Sequence, residues 1–177
     1  AIYSVTPFVL GFNVAQITNF IMTQNDFRRY SVYDMTACVG GDSFTQSFFA
    51  EQVEAYELNP QTFQCLKNNL DVDAKCGYGA QVNKIFVFCG SSLEHYLSPQ
   101  VLQAENLVGI IDPPWGGPDF KSKSNIRLSL GDKPIEELTK DMLAQGRYKL
   151  IVLKLPKNYD RNYIIKQMQS KQFYIYD

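Results

Sequence analysis

The chain has 177 residues and 20.2 kDa, of which 45% are hydrophobic, 20% charged and 14% aromatic. That is enough to bury one ordinary core without disulfide staples, and it is too apolar and aromatic for a disordered segment. No apolar run is long enough to span a membrane, and the formal charge of −1 excludes a uniformly basic nucleic-acid binder.

That small net charge hides an asymmetry. Residues 1–120 carry five Lys/Arg against twelve Asp/Glu, whereas residues 121–177 carry twelve against six. The last third can therefore face an anion. The four cysteines (Cys38, Cys65, Cys76, Cys89) form no C-x-x-C pair, and there is a single His95. A disulfide framework and a metal centre are not expected, and reduced thiols suit an intracellular protein. No basic stretch followed by an apolar one marks a secretory signal. The chain begins with Ala1, so it is read as a possible piece of a longer protein with flanking domains.

In chain order, Thr6-Pro7 reads as an N-cap followed by a proline at the first helical position, opening a helix from Phe8 to Met22. Ser31 to Asp34 reads as a strand, Thr36 to Asp42 as a turn, and Phe44 to Phe49 as helix. Val53 to Leu58 is a second strand, and Asn59-Pro60 starts a helix to about Leu70. Lys84 to Cys89 is a third strand, followed by a short helix from Ser91-Ser92. Leu107 to Ile111, almost wholly apolar, is a fourth. The spacing predicts a helix over Pro134 to Leu143, a fifth strand over Lys149 to Leu155, a helix over Asp160 to Ser170 and a last strand over Phe173 to Tyr176.

Strands alternating with helices, several of them continuous apolar runs, predict a mostly parallel sheet covered on both faces. The expected fold is a doubly wound, Rossmann-like α/β domain over residues 1–177, with a helical lead-in over 1–29 and the α/β core over 30–177. In such sheets ligands sit outside the carboxyl ends of the strands. Three junctions therefore carry the functional reading.

The first runs from Asp34 through Thr36 to Gly40-Gly41-Asp42, where glycines let backbone approach a ligand. The second ends in Glu57-Leu58-Asn59-Pro60, and an acidic side chain at a second strand end grips a ribose diol in nucleoside-binding folds. Cys38 interrupts the Gly-rich run that a pyrophosphate needs, so a ligand with ribose but no pyrophosphate fits better, and S-adenosylmethionine is such a ligand. The third, Asp112-Pro113-Pro114-Trp115-Gly116-Gly117-Pro118, is the most specific. Two prolines fix the backbone and supply no N–H donors, which turns the Asp112 side chain and the neighbouring carbonyls toward the cleft. Such acceptors can hold a planar exocyclic amine while Trp115 stacks on its base.

These residues resemble the class I, S-adenosylmethionine-dependent amino-methyltransferases, and more narrowly the trimethylguanosine synthase family, which methylates the exocyclic N2 amine of 7-methylguanosine RNA caps. The resemblance covers nearly all of the chain. It runs through Tyr3-Ser4-Val5-Thr6-Pro7, Asp34 with Val39-Gly40-Gly41, and Glu57-Leu58-Asn59-Pro60. It continues in Pro113 to Phe120, in Ile126-Arg127, and in Leu155-Pro156-Lys157-Asn158 with Asp160. It implies that Asp34, Thr36, Gly40, Gly41, Glu57, Asn59 and Ser91 line the cofactor. It implies catalytic roles for Asp112, Pro113 and Trp115, and substrate contacts from Ser4, Trp115, Lys157 and Asn158, with Lys157 meeting cap phosphate. Capped RNA is the implied partner; no membrane and no metal are implied.

Four positions depart from the family pattern. Cys38 replaces a glycine of the cofactor loop, Thr36 an aromatic residue, Ser91 an acidic residue, and Asp112 the usual serine. Each change in the cofactor site is expected to weaken binding by about 1–3 kcal/mol unless something compensates. Asp-Pro-Pro-Trp is also the loop of adenine N6 methyltransferases. Two alternatives therefore stand beside the cap reading: another nucleic-acid amino-methyltransferase, and a degenerate methyltransferase fold acting as a binding module.

Overall fold

The computed structural model describes residues 5–77, 79–168 and 171–176. Five strands form a parallel sheet: β1 (Ser31–Asp34), β2 (Val53–Glu57), β3 (Ile85–Cys89), β4 (Leu107–Ile111) and β7 (Tyr148–Leu153), in the order β3-β2-β1-β4-β7. β5 (Ser129–Leu130) and β6 (Lys133–Pro134) make a separate antiparallel pair. The helices are α1 (Phe8–Gln24), α2 (Gly41–Gln46), α3 (Pro60–Cys76), α4 (Ile135–Ala144) and α5 (Arg161–Gln167).

Alternation along the strands assigns the two faces. Tyr33, Tyr56, Leu107, Ile111 and Tyr148 pack with Ile135, Leu138 and Met142 of α4 and Ile164 of α5. Their neighbours Val32, Val53, Ala55, Val108 and Ile110 pack with Met22 of α1 and Leu66 of α3. The fold is thus the expected doubly wound α/β sheet with helices on both faces. At Gly109 a Cβ would lie 2.4 Å from Met142 Cε and 2.9 Å from Ile151 Cδ1, so both side-chain ends would have to shift to admit one.

Several predicted elements shift. Pro7, not Thr6, holds the N-cap position of α1, and the Thr6 hydroxyl donates to Asp42 Oδ2 (3.1 Å) instead of capping. α1 continues to Gln24 and α3 to Cys76, where Gly77 in the left-handed region closes it. The helix expected over 44–49 begins at Gly41, because Gly40 (φ +102°) takes the cap position, and ends at Gln46. After Ser91 there is only a single 3-10 turn, Ser92–Glu94. The fifth parallel strand is Tyr148–Leu153, so Lys154 and Leu155 fall beyond it. The last helix is Arg161–Gln167; Asp160 caps it by accepting from the Tyr163 N–H (3.0 Å), and Ser170 lies outside the described residues. The strand expected over Phe173–Tyr176 is not formed; those residues are exposed and pair with no strand. Among the described residues no helix is long and apolar enough to cross a membrane.

The strand order reverses direction between β1 and β4, which opens a crevice at their carboxyl ends. Register places Asp34 beside Ile110, and Ile111 beside Leu153. Asp34, Asp112 and Lys154 therefore leave three adjacent strands at one end of the sheet.

Candidate active site

The floor of the crevice is a network of carboxylates. Asp34 is buried; its Oδ2 accepts from Ser43 Oγ (2.6 Å) and its Oδ1 from the Thr36 N–H (3.1 Å). Burial, and then the charge of Asp42, push its carboxyl up to about 7, against the lowering influence of Ser43, Thr36 and Lys154. Thr36 ties β1 to β4, because its Oγ1 accepts the Asp112 N–H at 2.8 Å. That is the one backbone donor of Asp112-Pro113-Pro114, since neither proline has an N–H.

The native state thus holds the Asp34 proton above the pH at which the unfolded chain releases it. In the window from about pH 4 to about 7 the folded chain binds more protons than the unfolded one, so this group's contribution to stability falls as pH rises. Replacing Asp34 with asparagine should remove that slope. Urea midpoints measured at about pH 5 and about pH 8 should show the wild type losing stability relative to Asp34→Asn. A wild type that gained on the variant over this window would refute burial as the dominant influence.

The cofactor loop bears out the need for unusual backbone. Cys38 sits at φ +51°, the left-handed region that costs an L-residue about 1–2 kcal/mol, where the resemblance predicts a glycine. Burial foremost, with the Glu57, Asp112 and Asp34 charges, holds the Cys38 thiol above its usual value. This disfavours the thiolate. Gly40 has no room for a side chain, as a Cβ would lie 2.5 Å from Phe44 Cε2.

At the end of β2, Glu57 is half-buried and its Oε1 accepts from the Asn59 N–H (2.7 Å). Asn59 spends its own side chain on capping α3, accepting from the N–H groups of Gln61 (2.9 Å) and Thr62 (3.1 Å). Ser91 precedes the 3-10 turn, next to Gly90, whose N–H donates to the Glu57 carbonyl (3.0 Å). Asp34, Gly40, Gly41, Glu57 and Ser91 thus gather on the loops at the ends of β1, β2 and β3.

Asp112 and Trp115 lie across the crevice on the loop after β4. The indole is half-buried, its Nε1–H donates to the Lys154 carbonyl (3.3 Å), and Phe120 meets it edge to face with centroids 5.2 Å apart. It is not lost in the interior. Gly116 (φ +89°) and Gly117 (φ +79°) both take positive φ and turn the chain between Trp115 and Phe120. Asn158 does not face outward as a free amide. Its Nδ2 donates to the carbonyls of Phe120 (2.7 Å) and Lys123 (2.6 Å), clamping the loop after β4 to the one after β7. Lys157 is exposed, as are Lys121 and Lys123 of the same rim, and Ser4 lies outside the described residues.

Sequence reading missed the group at the centre. Lys154 Nζ lies 2.8 Å from Asp42 Oδ2 and 3.0 Å from Asp112 Oδ2, and it also donates to Thr6 Oγ1. Burial lowers its affinity for a proton, but Asp42 and Asp112 outweigh burial and leave its ammonium above the ordinary lysine range. A lone charge closing the apolar run Leu150-Ile151-Val152-Leu153 at a carboxyl strand end was the available signal.

The arrangement fits S-adenosylmethionine. Asp42 Oδ1 is buried with no hydrogen-bond partner among the described residues. A buried acceptor of this kind calls for a donor such as a ligand ammonium. Among the described residues no cluster of His, Cys, Asp and Glu is arranged to hold a metal ion.

The profile of the RNA cap guanine-N2 methyltransferase family matches residues 22–173. An uncharacterised protein of Acanthamoeba polyphaga mimivirus is 28% identical over 147 residues, 81% of this chain and 52% of the relative. The trimethylguanosine synthase of Schizosaccharomyces pombe is 24% identical over 160 residues, 89% of this chain and 61% of the relative. The chain therefore spans between half and two thirds of the length of these curated relatives. Among solved structures, precorrin 8W decarboxylase from Methanobacterium thermoautotrophicum superposes with a TM-score of 0.52 at 13% identity, covering 87% of this chain and 69% of that one. This last similarity is one of fold alone.

Proposed function

We propose, for a chain that belongs to the RNA cap guanine-N2 methyltransferase family, that it transfers a methyl group to the exocyclic N2 amine of 7-methylguanosine in an RNA cap. That it is an S-adenosylmethionine-dependent methyltransferase follows from the family; the cap guanine is our reading of the site. The observation that carries it is the Asp112-Pro113-Pro114-Trp115 loop at the β1–β4 crevice, its indole half-buried and bonded to the Lys154 carbonyl, its carboxylate paired with the Lys154 ammonium and its first N–H bonded to Thr36.

S-adenosylmethionine supplies a methyl group on a sulfonium that departs as a neutral thioether. The residues do the rest by positioning. Glu57 accepts from the ribose hydroxyls. Asp42, whose Oδ1 is buried without a partner among the described residues, offers an acceptor to the cofactor's ammonium, and Asp34 holds the loop beside it through Ser43 and Thr36. Asp112 and the Pro113 carbonyl accept the N–H groups of the amine, which turns the nitrogen lone pair toward the methyl group. As the nitrogen–methyl bond forms, Asp112 takes up the proton the nitrogen sheds. Trp115 stacks on the guanine, whose 7-methyl positive charge adds a cation–π attraction. Exposed Lys121, Lys123 and Lys157 rim this side of the crevice and suit the phosphates of the cap.

The test is incubation with labelled S-adenosylmethionine and RNA carrying either a 7-methylguanosine cap or an uncapped 5′ end. Label should appear on N2 of the cap guanine, and free cap dinucleotide should compete with it. Label on adenine N6 of uncapped RNA, unaffected by cap dinucleotide, would overturn the reading and assign the Asp-Pro-Pro-Trp loop to adenine.

A further inference from the structure

We propose that Lys154 is a positioning residue for methyl transfer, its ammonium holding the Asp112 carboxylate ionised and fixed in the orientation that accepts the substrate amine. The inference rests on the reading of Asp112 as that acceptor.

Lys154 is engaged with the loop through its backbone as well as its side chain. Its N–H donates to the Ile111 carbonyl (3.0 Å) and its carbonyl accepts from the Trp115 indole (3.3 Å), while Nζ reaches Asp112 Oδ2 (3.0 Å). The same ammonium touches Asp42 Oδ2 (2.8 Å) of α2 and the hydroxyl of Thr6 ahead of α1. Both its side chain and that of Asp42 are largely withdrawn from water, at 16% and 11% exposure. One cation thus joins the lead-in, the cofactor loop and the catalytic loop.

The charged and titratable groups around Asp112 are Lys154 from the end of β7, Asp42 from α2, and the Cys38 thiol of the cofactor loop, with Asp34 of β1 coupled to the same Asp42 and Lys154. Burial is the largest influence on Asp112 and raises its carboxyl above the usual range, and Asp42 raises it further. Lys154 is the principal group acting the other way. Remove it and three carboxylates share a desolvated crevice, where like charges within a few ångströms cannot all stay ionised. A protonated Asp112 would donate its O–H to the amine nitrogen, tying up the lone pair that must attack the methyl group. With an aspartate at this position, ionisation leaves both carboxylate oxygens free to accept from the amine, and the position of Lys154 favours it.

The experiment compares wild type with Lys154→Met, Lys154→Arg and Asp42→Asn. It reads the Asp112 carboxyl directly by 13C-aspartate NMR titration, assigned with Asp112→Asn, and follows the pH dependence of kcat/KM with capped RNA. Lys154→Met should raise the Asp112 midpoint by about one to three units and carry the acidic limb of kcat/KM with it. Lys154→Arg should return both toward wild type. Asp42→Asn, which deletes the competing carboxylate, should lower the midpoint, and it decides the matter if Lys154→Met does not fold. An Asp112 midpoint unmoved by Lys154→Met, or unmoved or raised by Asp42→Asn, would overturn the proposal. The titration needs no substrate. Failure of the wild type to methylate capped RNA would defeat the cap reading while leaving the titration result to stand or fall alone.

Discussion

Asp112→Asn is expected to lower kcat for methyl transfer by about a hundredfold or more, the scale on which misplaced reacting groups lose rate, with S-adenosylmethionine affinity almost unchanged. The substitution keeps the shape of the side chain and halves its accepting capacity. Lys154 Nζ, 3.0 Å from Oδ2, draws the amide oxygen to itself because it can only donate. The amide NH2 is then turned toward the substrate amine, where it presents donors to donors. The amine loses its acceptor and its orientation together, so the loss falls on kcat more than on KM. Asp112→Ser, which restores the residue usual in the family, should retain much more activity than Asn, since a hydroxyl can both accept from the amine and accept from Lys154. Single-turnover rates with saturating cofactor and capped RNA make the comparison. An Asn variant as fast as the wild type would remove Asp112 from the chemistry.

The parts of this site that were legible in the sequence are those where local chemistry dictates geometry. Pro113-Pro114 after an apolar strand can only end that strand, and the ladder closes at Ile111 as expected. Asn59-Pro60 pairs a favoured capping residue with a favoured first helical residue, and here it is both. Asp34 and Glu57 needed only their places at strand ends in a doubly wound sheet. What escaped was set by partners distant in sequence. The Thr6 hydroxyl had a good local use as a cap, yet Asp42, 36 residues away, and Lys154, 148 residues away, claim it. Phe173-Tyr174-Ile175-Tyr176 has the composition of a strand, but composition gives a propensity only, and a strand exists where a neighbour completes its hydrogen bonds. Lys154 was hidden for the opposite reason. It closes the four-residue apolar run Leu150–Leu153 and reads as the last position of that strand, and only the register of β7 against β4 places it beside Asp112. Asn158 has the composition of a ligand-binding residue; the fold spends it on holding two loops together instead.

Trp115→Ala should separate recognition of the base from recognition of the cofactor. Stacking of a base on an aromatic ring contributes about 1–3 kcal/mol, and a methylated, positively charged guanine adds a cation–π component of about 0.5–2 kcal/mol. The dissociation constant for a 7-methylguanosine cap dinucleotide, measured by calorimetry, should therefore rise at least tenfold, and toward a hundredfold or more if both contributions are realised. S-adenosylmethionine affinity should hold within about twofold, because the ligands proposed for it, Asp34, Asp42 and Glu57, belong to the ends of β1 and β2 and the start of α2 rather than to the loop that carries the indole. The substitution also cuts the Nε1–H bond to the Lys154 carbonyl and the edge contact with Phe120, so a loosened loop could imitate a lost stacking face. Trp115→Phe distinguishes the two, as it keeps an aromatic face while losing the same N–H donor. If stacking carries recognition, Phe recovers most of the cap affinity and Ala none of it. An unmethylated guanosine cap should bind the wild type more weakly than the 7-methyl form, and that preference should vanish in Trp115→Ala. Equal cap affinities in wild type and Ala variant would show that the indole serves only to brace the loop.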